Sequence, residues 1–242
     1  MKVFSLYSLI LAVLFFSCQN NPKPNKSQET ADSEWKDMVV SNSFEGWHLY
    51  QDDGSKGGWT VADNILTFNS EEAKGKGDKS LISDDTYTNF EIKFDWKVSE
   101  GANSGFIWGV NEDQQFKHPY ETGPEIQILD PQVYLGDEKN QVHTAGALYD
   151  MIAPSSFETR PAGEWNNFHI TINHSLNEGV VVLNGVEVNR FPLHGPEWDS
   201  MVASSKFADW QGFGKFPTGS ICLQDHPGII AFKNIKIKRL AE

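Results

Sequence analysis

Apolar and polar residues alternate with a period of two along much of the chain, and this alternation restricts the fold more than any other feature. Residues 90–98 read FEIKFDWKV, which places Phe90, Ile92, Phe94, Trp96 and Val98 on one face and charged residues on the other. Residues 168–173, FHITIN, repeat the pattern. Because successive side chains of a strand point to opposite faces, each segment is predicted to be a half-buried β-strand.

The connections between these segments favour antiparallel pairing. Two β-branched runs flank Asn184-Gly185 in VVVLNGVEV, which is a strong signal for a hairpin with a two-residue turn. The C-terminal run IIAFKNIKIKRL alternates through Ile235 and Ile237 and is expected to pair with an early strand. Helical periodicity is scarce, and one short helix is predicted near Glu197 to Ala208.

Many short strands without a βαβ rhythm or a repeat unit indicate an all-β fold with one antiparallel sandwich. The segment from residue 35 to residue 242 holds about 200 residues. This length suits a jelly roll of two curved antiparallel sheets better than a smaller immunoglobulin-like domain. We therefore predict a single jelly-roll domain over residues 35–242.

The N-terminus is typical of an exported protein. Lys2 precedes an apolar run from Val3 to Phe16 that is too short to span a bilayer but fits a signal peptide over residues 1–17. The run ends at Cys18, and the polar residues 18–34 would form a flexible tether. This order resembles a bacterial lipoprotein, with lipid on Cys18 and the protein anchored in the cell envelope, facing the periplasm or the cell surface. An ordinary signal peptide with an incidental cysteine is the alternative.

Charge and cysteine content exclude some classes of protein. The chain has 20 Lys and Arg against 33 Asp and Glu, a formal charge of −13, whereas nucleic-acid binding requires a surplus of cations. Contact with a membrane is expected only through the N-terminal lipid. With Cys18 lipidated no disulfide can form, and Cys222, in the strand-like run SICLQDH, is predicted to be an ordinary buried residue.

Polar clusters within apolar strands are the candidate functional residues, since the GxSxG, HExxH, Walker and dinucleotide-binding motifs are all absent. In ETGPEIQILD, Ile126 and Ile128 point to one face while Glu125 and Gln127 point to the other, and Asp130 follows Glu125 by five residues. That spacing resembles the E-x-D-x-x-E motif of jelly-roll glucanases, with Gln127 in place of the central Asp. An edge strand with a solvated acidic face is the alternative.

Three further clusters combine polar side chains with strand segments. They contribute Gln224, Asp225 and His226 from SICLQDHPG, His143 and Tyr149 from HTAGALYDM, and Asn103 from GANSGFIWG. Each has a structural alternative: an Asp-His pair is often a plain hydrogen bond, a buried tyrosine often satisfies the core, and an Asn before a strand often forms an Asx turn. Together, however, the clusters indicate a site.

Seven segments follow one another along the chain: FEIKFDWKVSEGANSGFIWGV, YETGPEIQILD, HTAGALYDMIAP, RPAGEWNNFHITI, VVLNGVEV, SSKFADWQGFGKFPTGSICLQDHPG and AFKNIKIKRL. In this order they resemble the blocks of the 3-keto-disaccharide hydrolase family, formerly the domain of unknown function 1080 and also described as 3-keto-glucoside lyases and hydratases. The resemblance extends from about Trp35 to Leu240.

The resemblance implies a concanavalin-like jelly roll and a substrate sugar that is oxidised at C3. A ketone at C3 acidifies the hydrogen on C2, so a base can remove that proton and the enolate can expel the aglycone from C1. Water then adds to the resulting keto-glucal. Such a site requires a base, a donor or cation facing the C3 oxygen, and an acid for the leaving oxygen.

The clusters supply candidates for the proton transfers. Glu125 or His226 is expected to be the C2 base, with Asp225 orienting the imidazole of His226. Asp130 is either a second acid or a residue that stabilises a strand bulge. A divalent cation held by Glu125, Asp225 and His226 would polarise the ketone. The spacing of these residues does not predict such a site, and no cofactor is expected.

The remaining polar residues are assigned to the substrate. Asn103, Gln127 and Gln224 are expected to hold sugar hydroxyls and the enolate oxygen. Tyr149, His143 or Lys206 would assist the leaving group.

Two other functions fit the same sequence. A non-catalytic carbohydrate-binding module would also display Trp, Asn and Gln on a sheet, and the chain has 8 tryptophans. Such a module has little use for Glu125, Asp225 and His226 together. A conventional retaining glycosidase is the second alternative, and Gln127 at the centre of the acidic motif counts against it.

Overall fold

The computed structural model describes residues 34–51, 57–73 and 78–241, together with Met1. Contacts group Ala31–Glu242 into one compact unit. The predicted signal peptide, Cys18 and the tether up to residue 33 lie outside the described residues, apart from Met1. Within the described ranges, no helix is long and apolar enough to cross a membrane.

Strands account for most of the regular structure. The described residues contain thirteen of them: β1 (Lys36–Asp37), β2 (Trp47–Leu49), β3 (Trp59–Ala62), β4 (Ile65–Asn69), β5 (Leu81–Tyr87), β6 (Phe90–Val98), β7 (Asn103–Val110), β8 (Glu125–Leu129), β9 (Asn166–Asn173), β10 (Glu178–Leu183), β11 (Val186–Phe191), β12 (Gly219–Leu223) and β13 (Ile229–Arg239).

The strands form two antiparallel sheets. The larger sheet has the order β11-β10-β9-β6-β13-β4-β3, and β1 pairs with β13. The smaller sheet has the order β2-β5-β12-β7-β8. Strands that are neighbours in space are often distant in sequence, as in β12 beside β5 and β7. This is the predicted all-β sandwich of two antiparallel sheets, which the structure confirms.

Aromatic and aliphatic side chains from both sheets form the core. On β6, buried and partly exposed residues alternate without exception, as the period of two predicts. Phe94 lies at the centre, with its ring centroid 5.7 Å from Phe106 of the smaller sheet and 5.7 Å and 6.0 Å from Phe168 and Phe232 of its own sheet. Truncating such a residue to alanine typically costs about 3–5 kcal/mol, so the pairing of the two sheets depends on this cluster.

The predicted hairpin and the predicted C-terminal pairing are both confirmed. Asn184 and Gly185 have φ angles of 51° and 89°, the left-handed values of a type I′ turn, and they connect β10 to β11. Strand β13 pairs with β6, β4 and β1.

The predicted helix is shorter and lies earlier than expected. Helix α1 spans Gly195–Ala203, whereas the sequence favoured residues 197–208. Pro196 occupies the first turn, where its missing N–H costs nothing. The hydroxyls of Ser204 and Ser205 then donate to the carbonyls of Ser200 and Val202, which end the helix by satisfying its last acceptors.

The face of the smaller sheet that turns away from the core carries the candidate functional residues. Ile126 and Ile128 of β8 are buried in the core, so Glu125 and Gln127 point to the opposite face. Cys222 of β12 is buried on this outer face with Ile82 and Ile107, and it is a free thiol, as predicted.

Candidate active site

Three adjacent strands bring together polar residues that lie about 100 positions apart in the sequence. In β7 and β8, Gly105 pairs with Gln127 and Ile107 pairs with Glu125. Beside them, the backbone N–H of Gln224 donates to the carbonyl of Gly105 over 2.9 Å. The sequence indicates that the polar clusters form one site, and Glu125, Gln127, Gln224 and His226 do line one pocket.

We call this cavity the Glu125 pocket. Its volume is about 390 Å³, and it is lined by Asn103, Tyr120, Glu125, Gln127, Tyr149, Lys206, Phe207, Trp210, Gln224 and His226. Seven of these ten residues are candidate site residues in the sequence; Tyr120, Phe207 and Trp210 are not. Such a volume falls in the usual range for small-molecule sites.

The Glu125 carboxyl lies buried against the sheet, with 8% of the residue exposed. Its side chain crosses β7 at Gly105, where an added Cβ would stand 2.1 Å from Glu125 Oε1. The amide of Gln224 is 3.4 Å from Oε2. Burial raises the pKa of Glu125 to about 8, although the Lys206 ammonium and the Gln224 amide both favour the carboxylate. At neutral pH this side chain is therefore mostly a neutral acid.

A chain of side-chain contacts connects Gln127 to His226. Gln127 Nε2 donates to Asn103 Oδ1 over 3.0 Å, so the Asn103 amide nitrogen faces His226 Nε2, 3.4 Å away. An amide N–H can only donate, which makes Nε2 the unprotonated nitrogen of the imidazole. His226 is exposed to solvent overall, but partial desolvation lowers its pKa from the ordinary value and so favours the neutral ring.

Gln127 also carries an unsatisfied acceptor. Its Oε1 is buried and has no hydrogen-bond partner among the described residues. Leaving a buried acceptor without a hydrogen bond costs about 1–3 kcal/mol. A ligand hydroxyl that donates to this oxygen would remove that cost and so bind more tightly.

Tyr149 and Lys206 form the wall beyond β8. The backbone N–H of Tyr149 donates to the carbonyl of Glu125 over 3.0 Å, and Lys206 Nζ lies 4.1 Å from the centre of the Tyr149 ring. Asp150 holds this wall together, because its carboxylate accepts from the backbone N–H of Lys206 and contacts His143 Nε2. Burial, with the nearby Glu125 charge, raises the pKa of Tyr149 to about 12, so its phenol stays protonated.

His143 lies behind this wall and does not line the pocket. Its ring is 4.8 Å from the Tyr149 ring, and its two nitrogens contact Asp150 and Asn140. The expectation that His143 assists a leaving group directly is therefore corrected: it supports Tyr149 instead.

Asp225 does not orient His226, and this prediction is also corrected. Its carboxylate accepts from the Ser80 hydroxyl over 2.8 Å and from the Lys79 backbone N–H over 3.1 Å. Burial and the neighbouring Asp78 carboxylate raise the pKa of Asp225. The side chain thus anchors the loop that carries Gln224 and His226, and it does not converge with Glu125 and His226 on a cation.

No group of three or more His, Cys, Asp or Glu side chains that could hold a metal ion occurs among the described residues.

Asp130 lies outside the Glu125 pocket as well. Its carboxylate accepts from the backbone N–H groups of Gly101 and Gln132, over 2.7 Å and 3.1 Å. Strand β8 ends at Leu129, so Asp130 belongs to the following turn, where it stabilises the loops. The second-acid alternative is corrected for that reason.

Three aromatic residues of the pocket escaped prediction: Tyr120, Phe207 and Trp210. They lie in a short 3-10 helix, Pro119–Glu121, and in the turns after α1, where no periodicity indicates which way a side chain points. The rings of Phe207 and Trp210 pack edge to face with centroids 5.0 Å apart. The three residues lie within the segments YETG and SSKFADWQG, next to polar residues, and this position was the feature of the sequence that could have indicated them.

The arrangement provides acid–base chemistry within an aromatic wall. Among the described residues that line the pocket, Glu125 has the one carboxyl group and His226 the one imidazole. Desolvation raises the pKa of Glu125 and lowers the pKa of His226, and both shifts favour the neutral form of the side chain. The pocket therefore offers a neutral acid and a neutral base near pH 7. Opposed environments of this kind mark the acid and base of a catalytic pair.

Comparisons with known proteins agree with the fold. The chain matches the 3-keto-alpha-glucoside-1,2-lyase-like domain over residues 34–238. A curated relative from Bacteroides thetaiotaomicron, named 3-keto-disaccharide hydrolase, is 31% identical over 225 residues, which cover 82% of this chain and 76% of the relative.

Two solved structures are also similar. A crystal structure from Parabacteroides distasonis, provisionally named a glycosyl hydrolase, is 30% identical with a TM-score of 0.78, over 86% of this chain and 95% of that one. A Bacillus subtilis protein with a galectin-like fold is 10% identical with a TM-score of 0.52, over 89% and 99% of the two chains, and shares the fold alone.

Proposed function

Since the chain belongs to the 3-keto-alpha-glucoside-1,2-lyase-like domain family, we propose that it cleaves the glycosidic bond of sugars oxidised at C3, by elimination followed by hydration. The observation that carries the proposal is that Glu125, whose side chain is buried, and His226 line one pocket. Elimination requires one group that accepts a proton and another that donates one in the same turnover.

In the first step the substrate displaces the long 3.4 Å contact between Asn103 and His226 Nε2, and this nitrogen removes the proton from C2. The electron pair of that bond forms the enolate of the C3 ketone, and the negative charge develops on the C3 oxygen. Amide donors from Gln127 and Gln224, the Tyr149 phenol and the Lys206 ammonium line the pocket and would stabilise this charge.

In the second step the enolate collapses and forms the C1–C2 double bond. The bond from C1 to the leaving oxygen breaks, and Glu125 gives its proton to that oxygen. The products are an alcohol or sugar and a 3-keto-glucal. Hydration then reverses the roles: a carboxylate at Glu125 accepts a proton from water as the water adds to C1, and protonated His226 returns a proton to C2. The net reaction is hydrolysis, and both residues recover their initial states.

The conventional retaining mechanism fits the pocket less well. It needs two carboxyl groups about 5 Å apart across the glycosidic bond. Among the described lining residues only Glu125 carries a carboxyl group, because Gln127 occupies the centre of the motif and Asp130 is used in a turn. A binding module fits less well too, since burying an ionisable acid destabilises the fold without helping to hold a sugar.

Product analysis tests the proposal. Purified protein is incubated with a 3-keto-glucoside and, separately, with the unoxidised glucoside, and the released sugars are identified by NMR. We expect cleavage of the oxidised substrate alone, with transient 3-keto-glucal. Glu125→Gln serves as the catalytic control. Equal cleavage of both substrates would indicate a conventional glycosidase, and binding without cleavage would indicate a binding module.

A further inference from the structure

The Glu125 pocket shares part of its aromatic wall with a second cavity. Tyr120 and Trp210, with ring centroids 5.9 Å apart, line both spaces. We call the second space the Gln211 cavity; its volume is about 490 Å³, and its lining includes Gln115, His118 and Gln211. The two cavities are therefore neighbours that share one pair of rings.

The lining of the Gln211 cavity combines aromatic faces with free amides. Gln115 and Gln211 are exposed, and their side-chain amides make no hydrogen bond within the part of the chain that the structure describes. Each amide offers one acceptor and two donors to a ligand. Aromatic rings beside a few polar groups are typical of sites that hold a small polar molecule with apolar faces, and a sugar ring has this character.

The shared wall is held rigidly. The His118 ring stacks on Tyr120 at 4.8 Å and 8°, and His118 Nδ1 contacts Asp78 Oδ2 over 2.9 Å. Asp78 Oδ1 accepts from the Ser80 backbone N–H, and the Ser80 hydroxyl donates to Asp225. One network thus supports both Tyr120 and the loop of Gln224 and His226, which preserves the spacing between the two cavities.

A third space, the Phe157 cavity, offers a different environment. Its volume is also about 490 Å³, but its walls include Leu129, Leu135 and Phe157, and it shares no lining residue with the Glu125 pocket. Of these two cavities, the Gln211 cavity shares lining residues with the Glu125 pocket, and the Phe157 cavity shares none.

We propose that the Gln211 cavity binds the leaving-group sugar of a 3-keto-disaccharide, an inference that rests on the proposed function. The oxidised ring occupies the Glu125 pocket, Tyr120 and Trp210 flank the glycosidic bond, and Gln115 and Gln211 bind hydroxyls of the second ring. Substrates with a sugar as leaving group are therefore preferred to those with a small alcohol.

Two substrates that share the same scissile bond test the proposal. The kcat/KM values are measured for a 3-keto-disaccharide of glucose and for methyl 3-keto-glucoside. In a variant with Gln115→Ala and Gln211→Ala, we expect the ratio of the first value to the second to fall about tenfold, the scale of one or two lost hydrogen bonds. The control is Gln141→Ala, in the Phe157 cavity, which should leave the ratio unchanged.

The possible results distinguish a failure of the proposed subsite from a failure of the proposed function. A ratio that is unchanged in the double variant, with both substrates still cleaved, overturns the subsite and leaves the proposed function standing. A ratio that falls in Gln141→Ala instead assigns the leaving group to the Phe157 cavity. If the wild-type protein cleaves neither substrate, the proposed function fails and the subsite falls with it.

Discussion

The carboxyl group of Glu125 lies across the backbone of Gly105, so that a Cβ at position 105 would stand 2.1 Å from Glu125 Oε1. The missing side chain on β7 is what allows a carboxyl group from β8 to lie flat against the sheet and out of water. Burial then raises its pKa to about 8. A glycine in one strand thereby determines the protonation state of an acid in the next.

Replacing Gly105 with alanine should therefore disable the pocket. Because the added methyl group would occupy the position of the carboxyl group, we expect kcat/KM to fall about tenfold or more per folded molecule. Gly179→Ala is the matched control, since its Cβ would meet the Phe191 ring at 2.2 Å in β10, away from the pocket. Both variants should lower Tm, measured by calorimetry. Equal activity losses in the two would show that Gly105 has only a structural effect.

The pH dependence of cleavage should be bell-shaped. Below the lowered pKa of His226, which lies under 6.5, the imidazole is charged and cannot accept a proton; above about 8, Glu125 is ionised and cannot donate one. His226→Ala should remove the acidic limb of kcat/KM and Glu125→Gln the alkaline limb, each with a loss of about a hundredfold or more. Asp130→Asn, outside the pocket, should retain both limbs. An alkaline limb that persists in Glu125→Gln would assign it to another group.

Local patterns in the sequence predicted several of the strands, among them β6 and β9, and the face to which their residues point. The alternation in β8 is enough to place Glu125 and Gln127 opposite Ile126 and Ile128, because the period of two depends on the backbone alone. The alternation does not place Gln224 beside Glu125. That contact follows from the jelly roll, which pairs strands distant in sequence, and the structure shows the Gln224 amide 3.4 Å from the Glu125 carboxyl group.

Long-range contacts in loops could not be predicted in the same way. Asp225 is adjacent to His226 in sequence, yet its carboxylate bonds to Ser80 and Lys79, about 145 residues away. Neighbouring side chains in an extended segment point in different directions, so the side chain of Asp225 points away from that of His226, which it was expected to orient. Tyr120 and Trp210 enter the pocket from turns, where no repeating geometry relates sequence position to direction.

Glu125 should also reduce the stability of the fold at alkaline pH. Its pKa in the folded protein, about 8, lies above the ordinary value of 4.5. Its stabilising contribution is therefore fully present below about pH 4.5 and is lost as the pH rises through about 8. Glu125→Gln cannot ionise, so its free energy of unfolding relative to wild type should increase across this window, on the order of 4 kcal/mol. Urea unfolding at pH 5 and pH 9 measures this difference, and a constant difference would contradict the burial of the acid.

Anchoring in the cell envelope is a separate expectation that rests on the N-terminal sequence. If Cys18 carries lipid, Cys18→Ser should convert a protein extracted from membranes with detergent into a soluble one, because each buried acyl methylene contributes about 0.8 kcal/mol to membrane binding. Cys222→Ser is the control, since that thiol is buried in the sheet and should not affect fractionation. A wild-type protein that is equally free of the membrane would contradict lipidation.

The fate of the hydrogen on C2 separates elimination from a conventional glycosidase. In the elimination route that hydrogen leaves as a proton on His226, which exchanges with solvent before the imidazole returns a proton to C2 during hydration. A 3-keto-glucoside cleaved in heavy water should therefore yield a product sugar with deuterium at C2. A glycosidase with an oxocarbenium-like transition state breaks the bond at C1 and leaves C2 untouched. Enolisation beside the ketone also exchanges this hydrogen without enzyme, so the product sugar is incubated alone under the same conditions and its exchange is subtracted.

Because His226 removes the C2 proton in the proposed mechanism, a substrate deuterated at C2 should also react more slowly with the wild-type enzyme. Cleavage without excess deuterium at C2, and without an isotope effect, would mean that the Glu125 pocket performs a displacement at C1.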